Sequence, residues 1–243
     1  MTAAPAEIRR AARDAAGMGV HAARLLRHVL RRPFCSDFRL LARLSPAPGQ
    51  VFVDAGAFQG DAVEAMRLYH PDTPIHAFEP NPGRARALAE RFGADEALTI
   101  YQCALAGGEA DGVLAAPVRG GRLVDAQASL DGRRAAHWDQ VRWLETKLFA
   151  LDALELDVSV LKIAVNGLEV SVLEGARETL HRCEPLVMCA PDRAADAFLT
   201  EELGWMRAVF DGARLIPGRA GVRRTIYAGP ACEAALWRAG LLA

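Results

Sequence analysis

Hydrophobic positions along this chain fall into two regimes, separated by Ser45-Pro46-Ala47-Pro48-Gly49. Before the break, apolar residues recur at helical spacing. Ile8, Ala12, Ala15, Leu25, Leu26, Val29 and Leu30 share one side of a helix over 5–31, and Arg24, Arg27 and Arg31 form another row. Pro33 stops that helix, and Ser36 or Asp37 is placed to cap a second short one over 37–44. After the break, short apolar runs alternate with helical patterns. Residues 51–54, 75–78 and 98–101 read as strands, and 61–69 and 82–92 as helices, the latter ending at Gly93. The same rhythm returns in strands at 158–163 and 185–189, helices at 168–181 and 192–203, and two last strands near 206–210 and 222–228.

Alternation at this spacing predicts βαβ units and a doubly wound, Rossmann-like parallel sheet. The turn-rich linker over 211–221 is too short for a helical crossover, so the last two strands are expected to pair antiparallel. Residues 106–146 break the rhythm with frequent glycines and read as a β-hairpin plus a loop over the ligand site. The expected organisation is an N-terminal helical extension over 1–48, hinged at the Pro-rich break, and one α/β domain over 49–243.

Composition narrows the function classes. In 243 residues, 51% are hydrophobic and 24% charged, the balance of a globular chain with a real core. A net charge of -1 argues against a nucleic-acid partner held by overall electrostatics. Residues 1–44 carry nine arginines against Glu7, Asp14 and Asp37, a balance of +6 that leaves -7 on the remainder. Such a basic arm reads as a solvated helix face, or as a contact for a membrane surface or partner protein. Five cysteines without C-x-x-C spacing give neither a disulfide framework nor a metal site, and a reducing cytoplasm is the expected location. No apolar run approaches the roughly 20 residues of a membrane span, and no signal peptide is read.

The chemistry concentrates at two strand ends. Asp54-Ala55-Gly56-Ala57-Phe58-Gln59-Gly60-Asp61 begins where the first strand stops and opens a helix. Gly56 permits a sharp turn and close ligand approach, Gly60 permits close packing at the helix start, and the helix N-terminus offers N–H groups to a carboxylate. Asp54 is placed to meet a ligand ammonium. Phe78-Glu79-Pro80-Asn81 closes the second strand, where the two oxygens of Glu79 suit a ribose diol. A dinucleotide fingerprint requires glycine where Asp54 stands, which disfavours NAD and FAD.

These motifs resemble the FkbM family of S-adenosylmethionine-dependent methyltransferases. The resemblance rests on Val53 to Asp61, on Ala77-Phe78-Glu79-Pro80-Asn81-Pro82, on Leu161 to Glu169, and on Val172-Leu173-Glu174-Gly175-Ala176. Cys103-Ala104-Leu105 is similar to the segment beside the adenine, and Leu151-Asp152-Ala153-Leu154 to the lead-in to strand four. The resemblance covers about residues 51–190. It implies a class I methyltransferase sheet of seven strands, the last antiparallel, and S-adenosylmethionine bound by Asp54, Gly56, Ala57, Phe58, Gly60, Glu79, Pro80, Asn81, Ala104 and Leu105. It also implies methyl transfer to a hydroxyl of a sugar, a glycan or a small natural product.

One departure bears on activity. The family pattern Lys-Ile-Asp-Val-Glu-Gly stands here as Lys162-Ile163-Ala164-Val165-Asn166-Gly167. Ala164 accepts no proton, and Asn166 is no base near neutral pH. Lys162 and Asn166 remain the candidate catalytic residues, Lys162 either orienting an acceptor or forming a salt bridge with Glu169 or Glu174. Glu169 itself reads as structural. His76 reads as a packed or surface histidine, and His137, Trp138, Asp125 and Ser129 as residues of the irregular loop. The alternatives to an active O-methyltransferase are a cofactor-binding protein with weakened catalysis in a regulatory or assembly role, and a peripheral module docking through the basic helix.

Overall fold

The computed structural model describes residues 36–124, 127–130 and 137–243. The helix expected over 5–31 and Asp125 lie outside the described residues.

The sheet is built from β1 (Val51–Ala55), β2 (Ile75–Phe78), β3 (Leu98–Tyr101), β8 (Val158–Ile163), β9 (Leu186–Cys189), β10 (Met206–Phe210), β11 (Leu215–Pro217) and β12 (Thr225–Ala228). Their order across the sheet is β11-β10-β12-β9-β8-β1-β2-β3. The inner strands β1, β2, β8 and β9 run parallel, whereas β12 is antiparallel to both β9 and β10. The expected reversal of the last strand is therefore present. The short edge strand β11, paired antiparallel to β10, brings the described strands of this sheet to eight rather than seven.

Alternation along each strand divides the core into two layers. Phe52, Ile75, Val160 and Met188 face a layer filled by Val63 and Met66 of α1 (Asp61–Tyr69), Leu88 of α2 (Pro82–Phe92) and Leu236 of α6 (Pro230–Arg238). Val53, Phe78, Leu161 and Val187 face the opposite layer, filled by Val172 and Leu173 of α3 (Glu169–Glu174), Leu180 of α4 (Arg177–Cys183) and Ala195 of α5 (Arg193–Ala197). All five residues of β1 are buried, as a strand covered on both faces requires.

The helix expected over 168–181 is two helices, α3 and α4, meeting at Gly175. A Cβ on Gly175 would lie 1.9 Å from the Ala106 carbonyl oxygen, so the break lets two segments touch backbone to backbone. Asp152 then caps α4, accepting from the Glu178 and Thr179 amides at 3.0 and 2.8 Å.

The irregular region contains a second sheet. β5 (Ala110–Arg119) and β7 (Val141–Phe149) form a long antiparallel pair, flanked by β4 (Ala104–Leu105) and β6 (Arg122–Leu123). Residues Ser36–Arg43 form a 3-10 helix whose Phe38, Leu40 and Leu41 are 2%, 0% and 0% exposed in the α1 layer, so this segment of the expected extension belongs to the domain core. Among the described residues no helix is long and apolar enough to cross a membrane.

Candidate functional site

Register places one residue from each of five strands in a single row across the sheet: Phe78, Ala55, Ile163, Cys189 and Thr225. Just beyond this row lie Glu79, Gly56, Ala164 and Ala190. At the fifth place the reversed strand contributes the residue that precedes it, Arg224. A pocket of about 420 Å³ opens here, within the range of small-molecule sites.

Backbone hydrogen bonds shape the floor. The amides of Gly56 and Ala57 both donate to the Phe78 carbonyl at 3.0 Å, pinning the first loop to the end of β2. Gly56 has φ +78°, and a Cβ there would sit 2.2 Å from the Ala164 carbonyl oxygen, so only glycine lets the loop close on the end of β8. Gly60 has φ +80° and packs against Phe92 and Leu88 of α2.

Glu79 is the best organised acid of the pocket. Its Oε2 accepts from the Phe58 amide at 2.7 Å and its Oε1 from the Asn81 amide at 2.9 Å. A carboxylate offers about four acceptor positions, so each oxygen keeps capacity for a ligand hydroxyl. Burial raises its pKa above the ordinary 4.5; the two amides and the Lys162 cation oppose that rise, and Asp54 adds to it.

Lys162 and Asp54 form a buried ion pair beneath the loop, 2.7 Å apart, with side chains 6% and 0% exposed. Lys162 also donates to the Gly56 carbonyl at 2.6 Å. Its acidic partner is thus Asp54, not Glu169 or Glu174. Glu169 instead accepts from the Val165 and Gly167 amides at 3.3 and 2.7 Å, which fixes the loop after β8. Asn166 sits in the left-handed region at φ 56° and its side-chain amide donates to the Ala128 carbonyl at 3.0 Å. Ser129 returns a hydroxyl bond to the Asn166 carbonyl at 2.6 Å, so the segment 127–130 is clasped to the end of β8.

No family model and no curated protein matches this sequence. Solved structures do. The FkbM methyltransferase of Methylobacillus flagellatus KT is similar at TM-score 0.50 and 15% identity over 76% of this chain. This chain spans 44% of that structure's length. A precorrin-6y C5,15-methyltransferase from Geobacter metallireducens follows at TM-score 0.45 and 15% identity, covering 78% of this chain and 84% of its own. An rRNA methylase from Streptococcus thermophilus has TM-score 0.44 and 13% identity, with 81% and 94% covered. The fold is that of the class I methyltransferases.

Within this methyltransferase fold, the pocket gathers Gly56, Ala57, Phe58, Glu79, Pro80, Ala104, Leu105, Lys162 and Asn166 from the sequence-derived set. Asp54, Gly60 and Asn81 lie behind its wall. Asp54 holds Lys162, Gly60 starts α1 against α2, and Asn81 caps α2 by accepting from the Gly83 and Arg84 amides. The loop amides at 56, 57, 58 and 60 are all spent within the protein, which leaves none of these four for a ligand carboxylate. His76 stands aside, bonded to the Tyr101 hydroxyl at 3.0 Å, with burial lowering its pKa.

Phe38, Arg223 and Arg224 are among the pocket residues that sequence reasoning passed over. A signal for the arginines was present. If β12 runs antiparallel, whatever precedes it must lie on the ligand edge. Phe38 left no signal, because its helix precedes the Pro-rich break and reads as a separate extension.

Proposed function

We propose that this protein binds S-adenosylmethionine and transfers its methyl group to a hydroxyl of an acceptor seated toward the β8–β12 end of the pocket. One observation carries the reading: Glu79, at the end of β2, has both oxygens oriented by amides and still faces the cavity. Glu79 accepts the two ribose hydroxyls. Pro80, Ala104 and Leu105 supply an apolar wall for the adenine. When bound, the cofactor would supply an electrophilic methyl group on a sulfonium, with S-adenosylhomocysteine as the leaving group and the hydroxyl proton released to water at the pocket mouth. The loop on Gly56 and the segment clasped by Asn166 hold the ends of β1 and β8 around the reacting centre and limit water there. Lys162 acts by fixing these ends, since an ammonium paired to Asp54 accepts no proton. The acceptor class implied by the sequence resemblance is a sugar, a glycan or a small natural product.

A second reading, a cofactor-binding protein with weakened turnover, is favoured by the end of β8 itself. Ala164 carries no acid, and the Asn166 side-chain amide is directed to Ala128. Reinstating Asp at 164 and Glu at 166 separates the two readings. A rise in turnover from a negligible base supports weakened catalysis, and a robust wild-type rate refutes it.

The binding claim is tested by calorimetric titration with S-adenosylmethionine, S-adenosylhomocysteine and NAD. The first two are expected to bind and NAD not. Glu79→Ala should lose about 1.5–3 kcal/mol, the usual worth of hydrogen bonds to a charged group. Because the folded-state pKa of Glu79 is raised, its carboxylate is present above a midpoint higher than 4.5, and cofactor affinity should fall as pH drops through that midpoint. An affinity unchanged by Glu79→Ala overturns the assignment.

A further inference from the structure

The ligand edge spans five strands, β2, β1, β8, β9 and β12. Glu79 follows β2 at one end, and Arg223 and Arg224 precede β12 at the other. Four strand spacings lie between them, roughly 19 Å at the usual separation. Both arginines line the same pocket as Glu79.

The adjacent arginines are held differently. Arg224 stacks over the Phe38 ring at 4.3 Å and pairs with Asp37 at 3.6 Å, which fastens the 3-10 helix to the rim. Arg223 is exposed and makes no hydrogen bond or ion pair with any described residue. Its backbone is nonetheless built rather than loose. The Gly221 amide donates to the Thr225 hydroxyl at 3.0 Å, and a Cβ on Gly221 would lie 1.8 Å from the Arg224 carbonyl oxygen. A tight turn thus presents a guanidinium at the pocket mouth without a partner among the described residues. Asp37, beside that rim, pairs with Arg224. The acids that line the pocket, Asp61 at the start of α1 and Glu79, belong to the β1–β2 side.

We propose that Arg223 recognises an oxyanion, a carboxylate or phosphate, on a small-molecule methyl acceptor. The inference rests on the cofactor reading for which end of the pocket is which. Guanidinium forks bind such groups bidentately, and lysine does so less well. An oxyanion is also present on the cofactor itself, in its methionine part. The site nevertheless belongs to the acceptor, because the methionine chain is short and starts at the ribose beside Glu79, four strand spacings away.

The test uses the full chain, with inorganic phosphate as the probe, titrated by calorimetry with and without saturating S-adenosylhomocysteine. Wild type is expected to bind phosphate in both states, and Arg223→Ala to bind it about tenfold more weakly with S-adenosylmethionine affinity unchanged. Arg223→Lys should fall between them. Equal phosphate binding by wild type and Arg223→Ala, or none by wild type, overturns the proposal. So does a loss of S-adenosylmethionine affinity in Arg223→Ala, which would assign the arginine to the cofactor carboxylate. Tighter binding of a short single-stranded RNA than of phosphate, lost in the same variant, would also overturn it in favour of a polymer acceptor. Failure of the cofactor reading shows separately, as wild type that binds phosphate but no S-adenosylmethionine.

Discussion

A lysine ammonium at the end of β8 is tolerable out of water because Asp54 meets it at 2.7 Å and the Gly56 carbonyl accepts a further bond. The pair welds β8 to β1 beneath the pocket, so Lys162 is a positioning residue in this fold. Lys162→Met should cost about 3–5 kcal/mol, because it strands the Asp54 charge in a site with no solvent. Lys162→Met combined with Asp54→Leu should recover most of that loss, since a well-packed apolar pair is often as stable as a buried ion pair. Urea denaturation of wild type, single and double variants reads both effects. If the single variant keeps wild-type stability but loses cofactor-dependent turnover, the lysine touches the reacting atoms after all. The family motif marked Lys162 as a candidate, but its partner lies 108 residues away and was not readable from local spacing.

At the level of elements, apolar periodicity located the strands and helices that flank the pocket. α1, α2, β2, β3 and β8 coincide with the segments expected from the hydrophobic pattern. Apart from α6, the misses share a cause: they depend on distant backbone. β4 has only two residues, and its strand character comes from pairing with Leu148 and Phe149. The break at Gly175 follows from Ala106, and α6 was passed over although Gly229-Pro230 is a fair start signal. Asn166 is another such case. Its left-handed backbone, φ 56°, turns the chain out of β8, and its side chain holds Ala128. Asn166→Ala should lose about 1–2 kcal/mol from the backbone alone, and about 0.5–1.5 kcal/mol more with the hydrogen bond. Asn166→Gly should restore the backbone share but not the bond, so stability should order as Asn, Gly, Ala in thermal denaturation. Equal stability of the Gly and Ala variants would show that the turn carries no strain worth relieving. The reinstated Glu at 166 inherits the same backbone cost, so its effect on turnover must be read alongside stability.

For the molecule as a whole, the ligand edge is a product of topology: parallel strands bring Glu79, Gly56 and Ala164 to one side, and one reversed strand brings an arginine turn to the same side. The Pro-rich break at 45–49 invites a division between extension and domain, yet the 3-10 helix before it is part of the core. Leu40 and Leu41 are fully buried, the Leu41 carbonyl lies 2.7 Å from the His70 imidazole at the end of α1, and Phe38 roofs the pocket under Arg224. A sequence pattern cannot distinguish a short amphipathic helix that floats from one that docks, because the docking face belongs to α1. The two organisations differ in cooperativity. If the segment were a hinged cap, Leu41→Ala would leave the unfolding midpoint of the domain unchanged and would loosen only residues near it. Packed as it is, the substitution opens a cavity in the layer shared by Phe52, Val63 and Met66, and should cost about 2–5 kcal/mol of global stability. Urea unfolding followed by both Trp fluorescence and far-ultraviolet circular dichroism should show one coincident transition moved to lower denaturant. A midpoint equal to wild type would separate the segment from the core and remove Phe38 as a fixed wall of the acceptor end.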